Sequence, residues 1–154
     1  MQQQKGFSLI EVLVTMVIIS FGLLGIAGVI VNSMKNNQSS YARTQASVLA
    51  NDIIDRMRAN RTTAETAPYV YNLALGADPA GSGVALNDLT QWRTSLAAAM
   101  PSGTGSVTMA SAAQVTVVVQ WNDARASGDG TAVGAGDGAT TGRTAQQIIV
   151  QTRL

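Results

Sequence analysis

Between Glu11 and Lys35 no side chain carries a charge, and the sequence is apolar to about Val31. At ~1.5 Å of rise per residue, ~20 such residues cross the ~30 Å hydrocarbon core of a bilayer as one helix. No other feature restricts the fold as much, because the rest of the chain must be arranged around this one element. Glu11 sits four residues into the hydrophobic stretch, where an ionised carboxylate is expensive. A plain anchor has no use for it. Lys5 precedes the stretch and holds the N-terminus on the cytoplasmic side by the positive-inside tendency.

Two ordinary readings of such an N-terminus fit poorly. A secretory signal needs a basic n-region, an apolar core of about 7–15 residues and a small-residue cleavage site. Gly25-Ile26-Ala27-Gly28 could supply the site, but the n-region has one lysine, the apolar run is long and Glu11 interrupts its start. An ordinary signal anchor explains the length and leaves Gly6-Phe7 and Glu11 as accidents.

Lys5-Gly6-Phe7-Ser8-Leu9-Ile10-Glu11-Val12-Leu13 resembles the class III signal of type IV prepilins and related pseudopilins. The resemblance implies cleavage of the Met1–Gly6 leader between Gly6 and Phe7 by prepilin peptidase and N-methylation of the new terminal Phe7. It also implies that Glu11 is the helix glutamate of the family. The chemistry of these residues is compatible with those roles. A glycine lets extended backbone enter a protease without a side chain in the way. Cleavage would leave a cationic amine on Phe7, which Glu11 of a neighbouring subunit can pair, relieving two desolvated charges together and favouring axial register. The bland alternative is a glutamate near the membrane surface, tolerated by snorkelling.

The helical pattern continues past the apolar run. Ala42, Ala46, Leu49, Ala50, Ile53 and Met57 fall on a stripe about 100° wide, and Asp52–Arg56 and Asp55–Arg58 pair off that stripe at i,i+4 and i,i+3. No proline precedes Pro68. One helix is therefore expected from about Phe7 to about Arg61, roughly 80 Å long. Residues 7–31 would form its transmembrane or filament-core part and 32–61 an amphipathic spine for a head built by 62–154. Gly22, Gly25 and Gly28 lie inside it, each costing ~1 kcal/mol against alanine. They are read as helix-softening positions, against the alternatives of close helix packing and of the ordinary tolerance of membrane helices for glycine. Many major pilins have a helix-breaking proline where this chain has Gly28, so melting carries over only in part.

In the head, residues 62–85 are rich in Ala, Gly, Pro and polar residues and are expected to form a loop. Asn87 or Asp88 offers an N-cap for a short helix carrying Leu89, Trp92, Leu96 and Ala99, stopped by Pro101-Ser102-Gly103. Strands are expected at Ser106–Ala110, Gln114–Asn122 and Ala145–Arg153, the second alternating Val115, Val117, Val119 and Trp121 with Thr116, Val118 and Gln120. The fold class is α+β: a long pilin-like N-terminal helix packed against a small antiparallel sheet. In the Gly/Asp-rich segment 124–144, Asp129 and Asp137 each precede a glycine and invite a calcium reading, but the spacing fits neither an EF-hand nor a glycine-rich calcium repeat. A hairpin connection is the plainer reading.

Composition narrows the function. The chain of 154 residues has a formal charge of +1, and losing Lys5 with the leader leaves it near neutral; a nucleic-acid binder shows a concentrated basic face instead. Cysteine and histidine are absent, which removes a disulfide framework, Ser-His-Asp and Cys-His catalysis, and any histidine- or thiolate-based zinc site. Many major pilins close their C-terminal region with a disulfide; this chain does not. No catalytic residue, metal site or cofactor is expected. Arg56, Arg58 and Arg61 make the one basic cluster, read chiefly as a solvated helix end complementing the dipole and otherwise as a contact for a neighbouring pilin or phosphate-rich ligand.

Gly22 to Gly28 together with Leu49 to Arg61 are similar to the PilV-type minor pilins, or type IV pilus modification proteins, over about the first sixty residues. That likeness implies a low-abundance inner-membrane subunit with a periplasmic head. It would prime pilus assembly with other minor pilins, the major pilin and the inner-membrane assembly platform. Lipid would surround its helix before assembly, and it would end in the filament or at its tip. A type II secretion pseudopilin and a tip-located adhesin or binding module are the alternatives.

Overall fold

The computed structural model describes residues 6–111, 114–123 and 145–154. The chain divides into two compact units, Met1–Asn37 and Gln38–Leu154. The first is helix alone: α1 spans Leu9–Ala59, and every side chain from Gly6 to Met34 is exposed. It is the one helix among the described residues long and apolar enough to cross a membrane, and nothing in its most apolar stretch is buried.

The second unit holds the hydrophobic core. The end of α1 contributes Ala42, Ala46, Ala50, Ile53, Ile54 and Met57, mostly the members of the expected stripe. Leu49 is only partly buried, and Ile54 joins from outside the stripe because the face covered by the head is wider than 100°. Three alanines on that face keep it flat, so the head can lie close to the helix axis.

α1 ends at Ala59, two residues before the expected limit. Asn60 leaves helical geometry at φ −110° and ψ 37°, and helical bonding resumes as α2, Arg61–Thr66. Asparagine competes with the helix by bonding elsewhere, and here its side-chain amide donates to the Tyr71 hydroxyl at 3.0 Å. The expected loop over 62–85 is likewise corrected. It contains α2, a 3-10 turn at Pro68–Tyr71, and an extended piece in which Leu73 and Val107 exchange both main-chain hydrogen bonds at 2.9 Å. The apolar residues scattered through that segment explain the order: Tyr71 and Leu73 are core residues.

α3 runs from Gly83 to Ala99 with Ser82 as N-cap, five to six residues before the expected Asn87 or Asp88. Ala85 is an earlier member of the Leu89, Trp92, Leu96 stripe, and all four are buried. Asp88 is occupied elsewhere, accepting from Tyr71 at 2.9 Å. Ala99 is exposed and Met100 closes the buried face instead. The Trp92 indole donates to the Leu49 carbonyl at 2.8 Å, tying α3 to α1.

Three strands form one antiparallel sheet in the order β1 (Thr104–Ser111), β2 (Gln114–Asn122), β3 (Ala145–Arg153). β2 and β3 match the expected bounds. β1 extends past the expected Ser106–Ala110 at both ends, and at its start Gly105 serves close approach. A Cβ on Gly105 would stand 2.5 Å from the Trp92 ring and 2.9 Å from the Val118 carbonyl oxygen. Val107, Met109, Val115, Val117, Val119 and Trp121 line the inner face, the alternation dictated by the two-residue period of a strand. Each of these valines is worth about 1.5–3 kcal/mol of transfer from water. The fold is α+β and pilin-like.

Candidate functional site

Gly6, Phe7 and Ser8 precede α1 in non-helical backbone. The Ser8 carbonyl accepts the first helical bonds, from the amides of Glu11 at 3.0 Å and Val12 at 3.3 Å. Ser8 therefore stands at the N-cap and Glu11 three residues on, in the first turn, where the helix dipole favours a negative charge. Phe7 is 85% exposed, and a Cβ on Gly6 would meet nothing within 4 Å. Packing among the described residues therefore makes no demand for glycine at position 6. Among the described residues the ion pairs all lie in the head, between positions 52 and 88, and Glu11 is in none of them.

The apolar stretch after Glu11 is prepared for a water-free environment. Thr15 donates to the Val12 carbonyl at 2.8 Å and Ser20 to the Met16 carbonyl at 2.7 Å. Both hydroxyl donors are thus satisfied within the helix, as a hydrocarbon setting requires. α1 remains helical through Gly22, Gly25 and Gly28, and a Cβ at each would meet open space. Internal packing does not explain these three glycines either.

The basic cluster at the end of α1 is neutralised within the head. Arg56 pairs with Asp52 at 3.0 Å and lies 3.7 Å from Asp88, Arg58 pairs with Asp55 at 3.0 Å, and Arg61 pairs with Glu65 at 2.6 Å. The two helix pairs expected from spacing are present. The pairing supports the solvated-helix-end reading over a phosphate site. No group of three Asp, Glu, His or Cys side chains able to hold a metal occurs among the described residues. Asp129 and Asp137, candidates for calcium, lie outside those residues.

Sequence reasoning missed the polar knot where α1 ends. Tyr71 is fully buried, accepts from Asn60 and donates to Asp88. Desolvation raises the pKa of its hydroxyl, the Asn60 bond opposes the shift, and the bond and charge of Asp88 add to it. Asp88 in turn faces Arg56. Tyr71 lies in an Ala-, Gly- and Pro-rich segment expected to be a loop, and its partners, 11 and 17 positions away, could not be read from spacing.

The family described as Prokaryotic N-terminal methylation motif matches residues 1–27, the span that holds Gly6, Phe7 and Glu11. No curated protein and no solved structure gives a significant match to the chain. One long apolar N-terminal helix fits a membrane-anchored pilin, and the methylation motif that opens it indicates a type IV prepilin-like protein of a pilus or pseudopilus.

Proposed function

We propose that this chain is a minor pilin, a non-enzymatic subunit that helps to prime assembly of a type IV pilus. The observation that carries the reading is the Gly6-Phe7 pair in exposed, non-helical backbone immediately before a solvent-facing apolar helix with Glu11 in its first turn. In this reading prepilin peptidase cuts after Gly6 and methylates the Phe7 amine, and Glu11 pairs with the amine of a neighbouring subunit. Gly22, Gly25 and Gly28 let the helix yield as it passes from lipid into the filament. The head stands in the periplasm before assembly. Other minor pilins, the major pilin and the inner-membrane assembly platform are its partners.

Glu11→Ala tests the charge-pairing role. Processing is expected to survive while incorporation into sheared filaments falls by about a hundredfold or more, since leaving one partner of a buried pair uncompensated costs about 3–5 kcal/mol. Wild-type incorporation of this variant would remove the role. The same motif serves pseudopili, and deletion of the gene separates the two machines: a pilus subunit's loss removes pili and twitching, a secretion subunit's loss removes export of enzymes.

A further inference from the structure

The first bonded carbonyl of α1 belongs to Ser8, so the helix begins at Leu9, just beyond the Gly6–Phe7 bond. Gly6, Phe7 and Ser8 stay out of it. The helix itself does not lack the tendency to propagate, since it runs for 51 residues and through three glycines. Phenylalanine is an ordinary helix residue, far better than glycine or proline. Something stops the helix at Ser8.

Packing does not stop it. Phe7, Leu9 and Ile10 are 85%, 90% and 70% exposed, Ser8 is exposed as well, and a Cβ on Gly6 would touch nothing. The boundary is therefore set by the local sequence. Serine is among the best N-cap residues, because its hydroxyl can accept from the amide of the second or third helical residue. In this chain those residues are Ile10 and Glu11. Alanine at position 8 would offer no such acceptor, and the next residue back that resists helix is Gly6.

That boundary matters to a chain cut after Gly6. A peptide taken up as an added strand lies extended and offers its main-chain groups for hydrogen bonding. In a helix begun at Phe7, the Phe7 carbonyl would instead be bonded to the amide four residues on. A start at Leu9 leaves Phe7 and Ser8, the two residues that follow the cut, free to extend.

We propose that Ser8 is a positioning residue for processing. As N-cap it holds the start of α1 at Leu9 and keeps Gly6, Phe7 and Ser8 in the extended form that a membrane peptidase binds. The proposal rests on the processing step of the filament-subunit reading and names the residue that makes the bond available. Ser8 acts only through backbone conformation, so any good capping side chain serves in its place, with or without a hydroxyl.

The test uses the full-length chain in detergent micelles with prepilin peptidase. Release of Met1–Gly6 is followed by mass spectrometry, and kcat and KM are measured separately. Ser8→Ala is expected to raise KM about fivefold with kcat unchanged. Loss of a cap shifts the boundary equilibrium by about 2- to 30-fold, and it lowers only the fraction of substrate competent to bind. Ser8→Asn caps as well as serine without a hydroxyl and is expected to keep the wild-type KM. Leu9→Pro joined to Ser8→Ala is expected to restore it, because proline suits the first helical position and disfavours helix at the residue before it. A wild-type KM for Ser8→Ala would overturn the proposal. So would failure of both Ser8→Asn and the Leu9→Pro double variant to reach the wild-type KM, which would make the hydroxyl a direct contact of the peptidase. Either result leaves the filament-subunit reading standing, since the wild-type chain is still cut. A wild-type chain left uncut between Gly6 and Phe7 would overturn both.

Discussion

Tyr71 is the residue whose removal separates polar from apolar contributions in the head. Tyr71→Phe keeps the buried ring and leaves the Asn60 amide and one Asp88 oxygen without their partner, a loss of about 1–3 kcal/mol measured by chemical denaturation. The pH dependence has a definite sign. Burial first, then Asp88, raises the hydroxyl's pKa above its ordinary 10.0, so the folded state favours the neutral phenol. That contribution is whole below pH 10.0 and is lost as pH rises through the folded value. Wild-type stability should therefore fall more steeply than that of Tyr71→Phe in the alkaline range. Gly105 marks a steric limit: Gly105→Ala forces a Cβ against the Trp92 ring and the Val118 carbonyl. A destabilisation of about 1–3 kcal/mol, the range for overpacking, is expected in thermal melts.

At the scale of elements, what the sequence made legible follows from local physics. The stripe Ala42 to Met57 and the alternation Val115 to Trp121 repeat with the periods of helix and strand, and both elements appear where those periods put them. The start of α3 was hidden because Asp88 has the chemistry of an N-cap and is used in a tertiary ion pair and hydrogen bond. The order within 61–74 was hidden because it depends on Leu73 pairing with Val107, a contact 34 positions distant by subtraction of their numbers. Gly6, Phe7 and Glu11 were legible for a different reason. They lie together in one short contiguous motif, within the 1–27 span that the methylation-motif family matches, so their recognition needs no knowledge of the fold. Within α1, a Cβ at Gly22, Gly25 or Gly28 would meet nothing within 4 Å among the described residues. Replacing all three with alanine should stiffen the segment by up to about 3 kcal/mol. Hydrogen exchange of the lipid-inserted chain should show slower opening there, and filament incorporation should drop. Unchanged exchange and incorporation would assign the glycines to no softening role.

For the whole molecule, the chain carries an apolar helix stretch that none of the described residues covers, and a head whose third strand is only partly buried. Both features leave apolar surface for other chains, as expected of a part in an assembly. The near-neutral charge and the internal pairing of Arg56, Arg58 and Arg61 argue against an electrostatic ligand as the reason for the design. The proposed function depends on one covalent event at the N-terminus. Mass spectrometry of the N-terminal peptide of membrane-isolated protein from its native host tests that event directly. A chain beginning at Phe7 with one added methyl group is expected. A chain that keeps Met1 with no shorter form, or one that begins near Ala27 or Gly28, would contradict it.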